Sequence, residues 1–252
     1  YYWNVAPNHD VTLSPTLYSR RNLALGAEYR YLGATHRGTT QANWLPNDRV
    51  TGKARYALEW RHRETDWSGV RLDALTQRVS DDNYWKDFPR DLGSLTPRLL
   101  ASDFELTRPF GDDWSAYARV QRWQVLQAPN IMEAPFDRAA QFGLRSTGNL
   151  QAGLQYALET EANHFVLPSN PGYSAADTPS NGSRLHAQGW INRPFRQPGW
   201  WVTPSVLLNA ASYYTDEAMP DGRTSASRVI PTFSLGGGAE FERSTEWLGR
   251  SL

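Results

Sequence analysis

Leu150-Gln151-Ala152-Gly153-Leu154-Gln155-Tyr156-Ala157-Leu158-Glu159-Thr160-Glu161-Ala162-Asn163-His164 reads as two interleaved series. The even positions (Leu150, Ala152, Leu154, Tyr156, Leu158, Thr160, Ala162) suit an apolar medium. The odd ones (Gln151, Gly153, Gln155, Ala157, Glu159, Glu161, Asn163) suit water. Successive side chains of an extended strand point to opposite faces, so a period of two marks a strand with one apolar and one wet face. A helix would scatter the same carboxylates around its cylinder.

The split recurs along the chain. Leu23, Leu25, Ala27, Tyr29 and Tyr31 oppose Ala24, Gly26, Glu28 and Arg30, while Tyr56, Leu58 and Trp60 oppose Arg55, Ala57, Glu59 and Arg61. Turn residues divide these runs into about thirteen expected strands: 1–5, 10–19, 23–33, 38–45, 54–64, 68–79, 98–108, 113–127, 138–146, 149–167, 183–195, 199–215 and 227–244. Many reach the ~9–11 residues that a strand needs to cross a membrane. Short turns are expected at 111–113, 147–149 and 197–199, and long polar connections at 80–97, 128–137, 168–182 and 216–226. Alternating short and long connections are the pattern of an outer-membrane barrel, with tight periplasmic turns and longer outside loops. Pro15, Pro204 and Pro231 fall inside expected strands and are read as bulges or strand ends, because proline cannot donate to the ladder.

Composition fits this reading and excludes others. Mean hydropathy is −0.62 and no stretch approaches the ~18 apolar residues of a membrane helix, whereas membrane strands carry only half their residues as apolar. Twenty-six basic residues balance 26 acidic ones, which gives no electrostatic footprint for nucleic acid. Eleven Trp and 12 Tyr suggest interfacial girdles, with Trp3, Trp44, Trp60, Trp67, Trp114, Trp200, Trp201 and Trp247 as candidates; exposed rings for glycan binding are the competing use. Without cysteine there is neither a disulfide nor a thiolate metal site. The start at Tyr1-Tyr2-Trp3 is read as that of an excised piece. The expected architecture is all-β: one domain over residues 1–252, an antiparallel transmembrane β-barrel segment that is incomplete.

An ordered set of short sequences is similar to the LptD (OstA) family of lipopolysaccharide-assembly proteins. The set begins with Tyr1-Tyr2-Trp3-Asn4-Val5-Ala6-Pro7-Asn8-His9-Asp10-Val11-Thr12, Arg20-Arg21 and Glu28-Tyr29-Arg30-Tyr31-Leu32. It continues with Leu45-Pro46-Asn47-Asp48, Val79-Ser80-Asp81-Asp82-Asn83-Tyr84, Asp87-Phe88, Gln124-Val125-Leu126 and His164-Phe165. Arg228, Pro231, Phe233 and Phe241-Glu242-Arg243 close it. Trp44 departs from the family's usual tyrosine. The resemblance implies the first half of a large barrel, with the family's jellyroll domain, first strand, second half and cysteines outside these residues. It also implies a non-enzymatic translocon that inserts lipopolysaccharide into the outer leaflet of the outer membrane. Its implied partners are a periplasmic bridge like LptA, a lipoprotein plug like LptE, and the membrane lipid itself. The gate of such a barrel joins its first and last strands, so this chain would hold at most a neighbour of it.

Catalysis finds little support. There is no Gly-x-Ser-x-Gly elbow, no His-Glu-x-x-His and no Gly-Lys-Ser/Thr loop, and no cofactor is implied. His9, His36, His62, His164 and His186 are scattered in sequence. Asp81, Asp82, Asp87 and Asp91 offer oxygen ligands for a cation, or are solvated loop residues. Gly236-Gly237-Gly238 lacks the helix of a phosphate loop and is read as a bend. On the wet face, Arg30, Arg55 and Arg61 with Glu59 and Glu159 are the candidate substrate-binding residues. Arg63, Arg71, Arg119 and Asp73 alternate to the same side. Guanidinium groups suit phosphorylated headgroups, and a self-neutralised network is the alternative. A porin and a soluble glycan-binding β-protein are the competing functions. Closure of the barrel by these residues alone would favour the porin.

Overall fold

The computed structural model describes residues 1–88, 98–126, 133–168 and 179–241, and the backbone of 246–247 and 250–251. The chain opens with β1 (Tyr2–Ala6), β2 (His9–Tyr18), β3 (Asn22–Leu32), β4 (His36–Asp48), β5 (Lys53–Trp67) and β6 (Val70–Val79). A single helical turn, α1 (Tyr84–Asp87), precedes β7 (Leu99–Phe110), β8 (Trp114–Val125), β9 (Asp137–Asn149) and β10 (Gln155–Val166). Then come β11 (Gly182–Asn192), the short β12 (Phe195–Gln197), β13 (Trp200–Thr215) and β14 (Ser225–Ala239). These form one 14-stranded antiparallel sheet in which neighbours in space are neighbours in sequence; β12 flanks one end of β13. Among the described residues the sheet is not closed, and β1 and β14 are its edges. A separate two-stranded ladder joins β15 (Glu246–Trp247) and β16 (Arg250–Ser251).

Alternation becomes two coherent faces because the register holds from strand to strand. One cross-strand row reads Arg37, Arg63, Asp73, Glu105, Arg119, Gln141, Asn163, Arg184 and Tyr213. The opposite face carries Leu25, Leu58, Phe104, Phe142, Leu144, Leu185, Val206, Leu208 and Phe233, all exposed. An apolar surface spread over a whole sheet marks contact with lipid or another protein. Among the described residues a compact core lies on the polar side, where Ala57, Val79, Tyr84, Trp85, Leu100 and Leu126 pack together under α1.

The expected long strands are present, and the connections sort by end. Residues 7–8, 33–35, 68–69, 111–113, 150–154 and 193–199 turn at one end; the long 80–98, 126–136, 167–181 and 216–224 fall at the other, together with the short turns 19–21 and 49–52. Three details differ from expectation. Thr147-Gly148-Asn149 belongs to β9, and the turn falls at 150–154, where the Leu150 N–H donates to the Leu154 carbonyl at 2.7 Å and Ala152 has φ 60°. The prolines sit inside continuous registers and make neither bulges nor strand ends. Pro15 lies where β2 has run past β1, Pro231 is on edge strand β14, and Pro204 serves as an acceptor for the Arg193 N–H at 3.1 Å. Pro15 and Pro231 thus avoid ladder positions that need an N–H, whereas Pro204 pairs with Arg193 through its carbonyl alone. Finally, the expected strand 183–195 ends at Asn192, and Phe195 starts β12.

Candidate functional site

At the long-connection end, Arg55 on β5 points to the polar face and is almost wholly buried. Its Nε and Nη2 donate to the two Asp81 oxygens at 2.9 and 2.8 Å, and Nη1 donates to Asp87 at 2.6 Å and Asp48 at 3.2 Å. Arg21 reaches Asp48 at 2.6 Å and Asp87 at 3.1 Å. The Arg55 guanidinium also faces the Tyr84 and Phe88 rings, at 5.5 and 5.0 Å from their centroids. Gln124 splints the floor: its Nε2 donates to the Val79 carbonyl at 2.8 Å, and its Oε1 accepts the Val79 N–H at 3.0 Å. Partial burial alone would raise the Asp81 carboxyl. Hydrogen bonds from Arg55, Ser80 and the Asn83 backbone outweigh it and hold the group below the ordinary carboxylate value. Burial raises the neighbouring Asp82, and the Asp81 charge adds to that.

Asp81 and Asp87 are therefore neither a cation cage nor freely solvated; they clamp the α1 segment to the sheet. Asp91 lies outside the described residues. Among the described residues no group of three or more His, Asp or Glu side chains could hold a metal ion. The sequence pieces containing Asp48, Asp81, Tyr84, Asp87 and Phe88 converge on Arg55, Arg21 joins through Asp48 and Asp87, and Gln124 ties in through Val79. Such convergence depends on the register and is invisible in a linear reading.

Toward the short-turn end the polar wall bears a concavity of ≈ 810 Å³, lined by Arg30, Arg37, Arg61, Arg63, Arg119, Asp73, Asp103 and Glu105 among others. Arg30 makes a paired bond to Asp10 at 2.9 and 3.0 Å, and Arg61 donates to Glu59 at 2.7 Å. Gln77 donates to the other Glu59 oxygen at 3.0 Å. Both guanidiniums remain over half exposed, so their outer edges stay accessible. Arg37 stands directly opposite Arg63, and Asp73 on the next strand accepts from Arg63 Nε at 2.5 Å, which offsets that like-charge contact. Glu159 lies apart on β10, accepting from Arg145 at 2.9 Å and from the Tyr117 hydroxyl at 3.3 Å. Of the candidate residues the fold thus brings Arg30, Arg61 and Glu59 together, while Arg55 and Glu159 occupy separate networks.

Two groupings escaped the sequence reading. His9, His36 and His62 meet on the apolar face around Tyr31, with ring centroids 6.3, 6.1 and 5.8 Å from it; the Tyr31 hydroxyl and His62 Nδ1 are 2.7 Å apart. Trp60 and Phe104 extend this cluster. The second is Trp201, read as a girdle residue. In β13 it alternates with apolar-face Trp200 and Val202, so it stands on the polar face with Thr203 and Ser205. The Trp247 side chain lies outside the described residues.

The family model for LptD, described as LPS transport system D, matches residues 53–252. The LPS-assembly protein LptD of Acidovorax sp. (strain JS42) is 37% identical over 268 residues, covering 100% of this chain and 32% of that protein. Its namesake in Ralstonia nicotianae is 37% identical over 259 residues, covering 100% and 31%. That of Burkholderia ambifaria is 34% identical over 261 residues, with the same coverage as the Ralstonia protein. The chain thus spans about a third of the length of the relatives it matches. Matches that run the length of a two-faced antiparallel sheet, and take in the Arg55 clamp, leave one conclusion: the chain belongs to the LptD family.

Proposed function

We propose that residues 1–252 act as one domain, a wall segment of an outer-membrane β-barrel that passes lipopolysaccharide to the outer leaflet. The carrying observation is the unclosed sheet with one exposed apolar face and one charged face. A closed apolar wall cannot let a sugar chain through, whereas a wet lumen beside a lipid-facing exterior can carry an amphipathic molecule along its boundary. Arg30, Arg61 and Glu59 form the part of the wall that meets phosphorylated sugars. Arg37, set opposite an Arg63 already paired with Asp73, adds a further guanidinium that a bound anion can engage. Glu159 contributes to the path further around the wall. Arg55 supports it from beneath, through the clamp. A lipoprotein plug similar to LptE would lie against the polar face, and a bridge similar to LptA would deliver substrate from the periplasm. No step of this work needs a catalytic residue.

Photo-crosslinking in the full-length protein tests the reading. Probes replacing Arg30, Arg61 and Glu159 should give lipopolysaccharide adducts that a probe at lipid-facing Leu58 does not. Adducts at none of the three wall positions would reduce the segment to scaffold.

A further inference from the structure

Trp201 is an exposed aromatic side chain on the polar wall. In β13 it alternates with Thr203 and Ser205, and its direct neighbours are Arg196 on β12 and Gly238 on β14. A Cβ on Gly238 would lie 2.7 Å from the indole Nε1 and 3.0 Å from Cε2, and one on Gly236 would lie 3.4 Å from Cζ3. The indole therefore rests along β14 across two glycines, which fix its plane. Covering glycine with an aromatic ring stabilises a sheet, and that role alone would explain a ring that is itself covered. Tyr117 over Gly143 is such a ring: it is 4% exposed, with Arg145 stacked on it at 4.0 Å. Trp201 is 45% exposed. One face of its indole is thus set against β14, while nearly half of the side chain remains exposed.

We infer that Trp201 is a stacking platform for a sugar ring, with Arg196, Thr203, Ser205 and Ser234 as the polar groups around its rim. This rests on the reading of the polar face as the path of a glycolipid. The chemistry selects the occupant. A pyranose presents a face of C–H groups that packs on an indole and a rim of hydroxyls that seek donors and acceptors. The polar-face neighbours of Trp201 are hydroxyl and guanidinium side chains, a poor lining for an acyl chain. A bare phosphate would need Arg196 but not the indole.

The test uses the full-length protein in cells, with a photo-reactive probe at Thr203, on the Trp201 face, and another at Val202, on the opposite face. Lipopolysaccharide adducts are expected at Thr203 and not at Val202. Trp201→Ala should lower the Thr203 yield roughly two- to tenfold, the scale of one aromatic contact, while Trp201→Tyr retains it. Trp201→Leu, which still covers the glycines but lacks a flat ring, should behave like Trp201→Ala. It serves as the decisive variant if the alanine protein fails to migrate as folded barrel in unheated gels. Cells making lipopolysaccharide without its core sugars should lose the Thr203 adduct. Persistence of that adduct would place lipid A, whose headgroup is itself a disaccharide, at the site and overturn the assignment to core sugars; a yield indifferent to Trp201→Leu would overturn the sugar assignment altogether. Adducts at Arg61 but none at Thr203 would overturn the platform and leave the transport reading standing. Adducts at neither would remove both.

Discussion

The Tyr117 ring lies flat on Gly143, its directly paired neighbour across β8 and β9, so closely that a Cβ at 143 would sit 2.3 Å from the ring. The missing side chain lets the phenol lie down along the wall. From there its hydroxyl reaches the Glu159 and Glu161 carboxylates, at 3.3 Å each. Arg184 and Gln141 close the same group from the other side through Glu161. One absent methyl thus sets the height of a network spanning β8 to β11.

Gly143→Val should force Tyr117 upright and part it from both glutamates. Overpacking of this kind costs about 1–3 kcal/mol. Urea unfolding in detergent should show a lower midpoint, and Tyr117→Ala in the same background should recover part of it. An unchanged midpoint in Gly143→Val would show that the wall can yield without cost.

Arg55→Met should be among the most damaging single changes in the rim. It strands Asp48, whose side chain is fully buried, with only Arg21 and a backbone N–H for company. Breaking a buried pair from one side costs about 3–5 kcal/mol. Arg55→Met with Asp48→Asn should be less destabilised than Arg55→Met alone when unfolding midpoints are compared.

Acid should loosen the α1 clamp. The Asp81 carboxyl is held below its ordinary value of 3.8, so its stabilising effect is full above that value and is lost as pH falls through the lower folded value. Asp82, raised by burial and by Asp81, acts in the opposite sense: its charged form is disfavoured in the fold, so Asp82→Asn should stabilise at neutral pH. Proteolysis of the 80–98 connection, followed between pH 6 and pH 3 (roughly spanning ordinary carboxylate titration), should accelerate at the acid end. In Asp81→Asn it should be fast throughout.

The two faces should respond oppositely to one charge. Val206→Arg places a guanidinium on the apolar face and should cost about 2–4 kcal/mol if it sits at mid-membrane depth. Ser205→Arg, one residue away on the polar face, should be tolerated. Folding yield into lipid vesicles measures both, and equal yields would contradict the assignment of faces.

The strands were legible because the two sides of this sheet meet different media, so each strand carries its own orientation. Legibility failed where a turn happened to continue the alternation: Leu150 and Ala152 keep the parity of β10, yet they form the bend before it. It failed for partners too. The carboxylates on Arg55 come from positions 48, 81 and 87, and the imidazoles around Tyr31 from 9, 36 and 62; only cross-strand register unites them. The orientation of Trp201 could have been found. Adjacent residues of one strand cannot both face lipid, so Trp200 and Trp201 could never both belong to a girdle.

The order of the sheet also bears on how it is built. Each long strand pairs with the long strands before and after it in the chain, so each contact layer closes only a single hairpin's worth of chain. Chains rich in such local pairings pass through cheap loop closures rather than distant searches. Assembly can run as a zipper whose growing edge is always the newest strand, extendable without disturbing what has already set.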